Sequence, residues 1–137
     1  MSETNRLDAA LHKAFLTMPD CIVMYYLDLS TGLLMGMKSN NQMPQEAIDL
    51  IAAVMTDMFQ GPNVSMMETL ARKYQGMPED EHFFQTILTM NGMGLQLAIR
   101  GKRYPDYVTV FYCRSTANLG MIMARARMAI PMIEEGM

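Results

Sequence analysis

Apolar and polar positions repeat along this chain with two periods, and the switches between them divide it into elements. Leu7, Ala10, Leu11, Ala14, Phe15 and Met18 recur at helical spacing. They predict a helix from about Glu3 to Thr17, stopped by Pro19 and Asp20. Cys21 to Leu27 is apolar at successive positions, as in a central strand. Asp28-Leu29-Ser30-Thr31-Gly32 makes a turn, and Leu33 to Lys38 returns as a second strand. There Leu33, Met35 and Met37 share one face and Gly36 and Lys38 the other, an alternation with a terminal Lys that suits a sheet edge.

Ser39-Asn40-Asn41-Gln42 is a polar loop, and Pro44 stands where the next helix can begin without a missing donor. Ile48, Ile51, Ala52, Met55, Met58 and Phe59 form its apolar stripe, which Gly61-Pro62 ends. A further short helix is predicted near residues 66–75, because Ser65 and Glu68 have capping-box spacing and Gly76 fits the stop. After the acidic loop Met77-Pro78-Glu79-Asp80-Glu81 comes a third strand, His82 to Met90. Asn91-Gly92-Met93-Gly94 is a hairpin signal, since Asn and Gly accept positive φ. Leu95 to Arg100 alternates as a fourth strand, and Gly101 to Asp106 turns the chain again. Tyr107 to Arg114 is β-branched and aromatic, a fifth strand. Leu119, Ile122, Met123, Ala126, Ile130 and Ile133 then mark a helix from Asn118 to about Glu135, with Asn118 as its cap and Pro131 disturbing its last turn.

Adjacent strands joined by tight turns, flanked by helices, imply an α+β fold: an antiparallel sheet with helices on its faces. The 137 residues suit one domain, 1–137, carrying the extra helix near 66–75.

The junction Arg114-Ser115-Thr116-Ala117-Asn118-Leu119-Gly120 is, on physics alone, an ordinary strand-to-helix turn. Its segment Ala117-Asn118-Leu119-Gly120, the following helix with Arg125 and Arg127, and the preceding meander together resemble the C-terminal part of the roadblock / dynein light-chain family. The order of elements extends that resemblance over nearly the whole chain. The resemblance implies a five-stranded sheet in the order 2-1-5-4-3, with the first and last long helices on one face and the middle one on the other. It also implies a dimeric module that regulates or scaffolds Ras-like GTPases and motility complexes, with no catalytic residues. The extra helix is an elaboration on that pattern.

Composition narrows the reading. Half the residues are hydrophobic and 18% are charged, a globular balance. A net charge of -3 argues against a general nucleic-acid binder. Residues 1–69 hold three Lys/Arg against eight Asp/Glu, and residues 70–137 hold eight against six. Such halves can meet across a dimer or simply face water. The first residues, Met1 to Arg6, carry no apolar leader segment and no apolar run is long enough to span a membrane, so a cytoplasmic location is expected. Cys21 and Cys113 make no disulfide framework and read as reduced, buried thiols, neighbours if the first and fifth strands pair.

Candidate chemistry is sparse. His12 has no partner at ligand spacing, and His82 beside Glu79, Asp80 and Glu81 is a solvated charge run more than a metal site. There is no G-x-S-x-G, Walker A or G-x-G-x-x-G pattern. The chain is therefore expected to be no enzyme and to hold no metal or cofactor. The 18 methionines, such as the pairs Met35/Met37, Met55/Met58 and Met121/Met123, lie on apolar stripes and suit packing or an adaptable interface rather than copper. Arg100, Lys102 and Arg103 before Tyr104 form a basic turn.

The leading functional reading is a non-enzymatic homodimeric regulator or scaffold that binds a small Ras-like GTPase, with no nucleic acid and no membrane span. A secretion-type chaperone and a small-molecule sensor of the PAS or GAF kind are the alternatives. The third strand is apolar on both faces yet stands at an edge in the implied order, and it carries no Pro or Lys. Two-fold pairing of that strand with its mate, beside the helix starting at Pro44, gives an expected interface of Met55, Met58, Phe59, Phe84 and Thr86.

Overall fold

The computed structural model describes residues 3–41 and 43–137; Met1, Ser2 and Gln42, and with them part of the N-terminal and polar-loop readings, lie outside the described residues. The elements are α1 (Glu3–Leu16), β1 (Cys21–Asp28), β2 (Leu33–Ser39), α2 (Gln45–Gln60), α3 (Pro62–Gln75), β3 (Thr86–Met90), β4 (Gly94–Arg100), β5 (Tyr107–Arg114) and α4 (Leu119–Glu134). They fall into two units, Met1–Gln42 with Thr86–Met137, and Met43–Gln85.

The first unit is a five-stranded antiparallel sheet in the order β2-β1-β5-β4-β3. The roadblock resemblance implied this order. Leu7, Leu11 and Ala14 of α1, with Ile122, Ala126, Ile130 and Ile133 of α4, are buried against one sheet face made by Met24, Tyr26, Leu95, Leu97, Phe111 and Cys113. Two features seat α1. A Cβ on Gly36 would strike Leu11 Cδ1, and Lys38 Nζ lies 2.7 Å from Asp8. The Gly36/Lys38 face of β2 therefore meets the helix, but the pairing with β1 skips Met35, and this bulge breaks the expected alternation before it reaches Leu33, which is 63% exposed.

A register shift between Cys21 and Val23 inserts a bulge at the start of β1. It turns Cys21 to the same face as Met24 and directly opposite Cys113, and both thiols are free and buried. Asn118 caps α4 by accepting the Met121 amide at 3.0 Å. The helix runs through Pro131 to Glu134, because the lost donor is one amide while Ile130 and Ile133 remain buried. Near its end, Glu134 is buried and its Oε2 accepts the Arg103 and Tyr104 amides at 2.9 Å each. That tie between α4 and the β4–β5 connection carries no sequence signature.

The hairpin between β3 and β4 closes differently from the expectation. Neither Asn91 nor Gly92 has positive φ. Asn91 Oδ1 instead accepts the Met93 and Gly94 amides at 2.8 and 2.9 Å, so a side chain does the work of a left-handed backbone.

In the second unit, α2 and α3 share Gly61, which ends one helix and caps the next. α3 begins at Pro62, not near residue 66, because a proline in the first helical turn gives up no bond. Ser65 therefore sits inside the first turn, and its hydroxyl donates to the Gln60 carbonyl at 3.2 Å in place of a capping box. Gly76, at φ 71°, closes α3 in the left-handed region. The third strand begins at Thr86, not His82, because the Phe83 amide is donated to Glu68 Oε2 at 2.8 Å and so is withdrawn from any ladder.

Candidate interface

In the sheet unit, β3 pairs only with β4 and forms one edge of the sheet. Thr86, Leu88 and Met90 are exposed along it, and Thr86 to Met90 contains no Pro, Lys or other charge. The strand thus offers unpaired backbone groups among apolar side chains, the chemistry of a surface that takes another strand. The opposite edge, β2, is blunted by Lys38 and covered beside it by α1.

The remaining residues of the expected interface lie in the helical unit. Met55 and Phe59 are buried within the chain, and Met58 and Phe84 are half-buried. Leu50 and Val54 are the large apolar side chains of α2 that are exposed. Phe84 meets Phe83 edge-to-face, with centroids 5.3 Å apart.

α3 carries a feature that the sequence reading of this helix did not identify. Glu68 is buried, yet its Oε2 accepts the Phe83 amide and lies 3.4 Å from His82 Nδ1. Arg72 stands 3.7 Å from the same carboxylate and donates to the Glu81 carbonyl at 2.9 Å. These contacts of Glu68 and Arg72 thus fold the segment after the helix back along it. Beside them is a cleft of about 260 Å³ lined by Met67, Leu70, Ala71, Tyr74, Gln75 and Phe83. Its signal in the sequence is the i, i+3, i+4, i+7 spacing of Met67, Leu70, Ala71 and Tyr74.

The sparse candidate chemistry is dispersed. His12 is exposed on α1. His82 faces Glu68, while Glu79, Asp80 and Glu81 are exposed. Among the described residues no group of three or more His, Cys, Asp or Glu is placed to hold a metal ion. Arg100 of the basic turn is buried and donates to the Pro105 carbonyl at 2.8 Å, leaving Lys102 and Arg103 outside. The methionine pairs divide. Met55 is buried and Met123 packs on the core, whereas Met35 and Met121 are exposed. Among the described residues no helix is long and apolar enough to cross a membrane.

No family model and no curated protein sequence matches the chain. Its structure is similar to that of MglB from Myxococcus xanthus, at TM-score 0.69 and 18% identity, covering 98% of this chain and 90% of that one. The gliding protein MglB from Thermus thermophilus gives TM-score 0.69 at 16% identity, over 99% and 91%. A Roadblock/LC7 domain from Streptomyces avermitilis gives 0.66 at 10% identity, over 93% and 94%. The chain therefore has the roadblock-type α+β fold.

Proposed function

We propose that this chain is a non-enzymatic regulator or scaffold of the roadblock type, that it forms a homodimer through β3, and that it binds a small Ras-like GTPase in the cytoplasm. The observation that carries this reading is the open, uncharged β3 edge of a roadblock-type sheet. Pairing β3 with its own copy satisfies both edges at once, and the self-complementary patch that results is what a closed two-fold dimer requires. Thr86 then lies on the seam, with Phe84 shortly before it in the chain. The half-buried Met58 is a further proposed contact, and Met55 and Phe59, the other expected contacts on α2, are buried in the single chain. A GTPase held by such a surface is regulated when one state of its switch loops binds better than the other. No residue of this chain has to enter the partner's active site.

Light scattering at micromolar concentration is expected to give a dimer. Titration with the Ras-like GTPase encoded nearest to this gene, loaded with GTP analogue or GDP, is expected to give tighter binding to one nucleotide state. The chain alone is expected to turn over neither GTP nor ATP. A monomer removes the dimer, absence of binding in both states removes the GTPase, and turnover that co-purifies with the folded protein removes the non-enzymatic assignment.

A further inference from the structure

We propose that the outer face of α3, together with Phe83, is a groove that docks a basic amphipathic helix of another protein. This goes beyond the GTPase reading and does not depend on it, since each chain carries its own α3.

The groove is apolar and open. Met67, Leu70 and Tyr74 are 46%, 49% and 72% exposed, and with Ala71 they form one stripe along the helix. Exposed large apolar groups at that spacing leave hydrophobic surface in water that a partner can remove. Phe83 forms the facing wall, and it is fixed before any partner arrives. Its amide is bound to the buried Glu68 carboxylate, which His82 and Arg72 bracket, and its ring is braced edge-to-face by Phe84. A wall already in place costs little ordering on binding.

The shape and charge select the occupant. The groove follows a helix of 14 residues, so it matches a straight partner of about three to four turns with anchors at i, i+3, i+4 and i+7. Gln75 and Phe83 both line the cleft, and the segment joining them carries the exposed Glu79, Asp80 and Glu81. Residues 43–85 as a whole hold seven Asp/Glu against two Lys/Arg. Of those two bases, Arg72 is held by Glu68 and Glu81, and Lys73 lies 5.2 Å from the Tyr74 ring centroid. The rim is thus complementary to a cationic flank and repels the anionic headgroups of a membrane surface.

The test uses fluorescence anisotropy of the full chain with a labelled synthetic peptide of about 18 residues, long enough to be helical, with Leu on one face and Lys on the other. A matched peptide carrying Glu for Lys is the control. The Leu/Lys peptide is expected to bind saturably, and the Leu/Glu peptide at least about tenfold more weakly. The charge-neutral double substitution Leu70→Gln with Tyr74→Gln is expected to weaken binding by about tenfold or more while leaving thermal midpoint and self-association unchanged. Glu79→Gln, Asp80→Gln and Glu81→Gln together are expected to weaken it several-fold at low salt and to flatten its salt dependence. Equal binding of the two peptides, binding that survives the double substitution, or binding to phosphatidylserine vesicles in preference to the peptide would each overturn the proposal. Loss of self-association in the double variant would also overturn it, because the groove would then belong to a second copy.

Discussion

At the scale of single residues, Glu68 is the side chain that most changes its setting between sequence and fold. Its spacing from Ser65 suggests a local cap, but its actual partners are the Phe83 amide, His82 and Arg72. Nothing in local spacing reports an acceptor that serves an amide beyond the next loop. Replacing Glu68 by Ala leaves the Phe83 amide without its acceptor and is expected to cost about 1–3 kcal/mol in urea unfolding. Glu68→Gln keeps an acceptor and should cost less. Tyr25 and Tyr26 make a different case. Both hydroxyls are buried with no hydrogen-bond partner among the described residues. Burial pushes both phenols above their ordinary value of 10.0. The folded state then holds the proton more tightly than the unfolded state, so stability is full below that value and falls as pH rises through it. Unfolding followed from about pH 8 to about pH 11 should show the loss, and Tyr25→Phe or Tyr26→Phe should reduce it at little cost near neutrality. Cys21 is pushed up first by the Cys113 thiol beside it and then by burial. Both thiols are buried, so both cysteines should react with a thiol reagent only as fast as the protein opens. That they are neighbours was legible from the pairing of first and fifth strands, whereas the bulge that aims Cys21 at Cys113 was not.

At the scale of elements, the two sheet edges are treated unequally. Near its end β2 carries Lys38 paired with Asp8, and β3 carries no charge at all. Leu88→Lys places a cation in the open edge and is expected to give a folded monomer by light scattering, as is Thr86→Pro, which cannot donate to a ladder. If both variants stay folded and dimeric, self-association uses some other surface. The start of α4 was legible because its stripe is long and Asn118 caps it, whereas α3, which has no side-chain cap, begins earlier than its stripe suggested. The start of β3 was not legible, because His82 to Gln85 has the composition of a strand but its backbone is engaged by α3 and by its own turn. The single face expected of Leu33, Met35 and Met37 on β2 is broken by the bulge at Met35, which strict alternation does not signal. Which side the helix would take depended on Gly36 admitting Leu11, a fact of packing that alternation alone cannot supply.

At the scale of the whole molecule, the charges divide between the two units as unevenly as between the halves of the sequence. Residues 43–85 hold the acidic excess, and the sheet unit holds nine Lys/Arg against seven Asp/Glu. Raising salt should therefore weaken a partner of the helical unit more than one that adds to the β3 edge, whose bonds are between backbone groups. Titrating each at about 50 mM and about 500 mM salt would show equal loss if this partition has no functional bearing. The strand order has a consequence for synthesis. β1 is made early, but its central neighbour, β5, is the last strand to leave the ribosome. Until then β1–β2 and β3–β4 are two separate hairpins with no shared sheet, and closing the gap between them carries a large loop entropy. A nascent chain halted after Arg100 should show no protease-resistant sheet, and one extended past Arg114 should acquire it in a single step. The N-terminal helix and its apolar stripe would have to wait for the last strand, which makes the time before release, rather than the finished protein, the period in which a chaperone is needed.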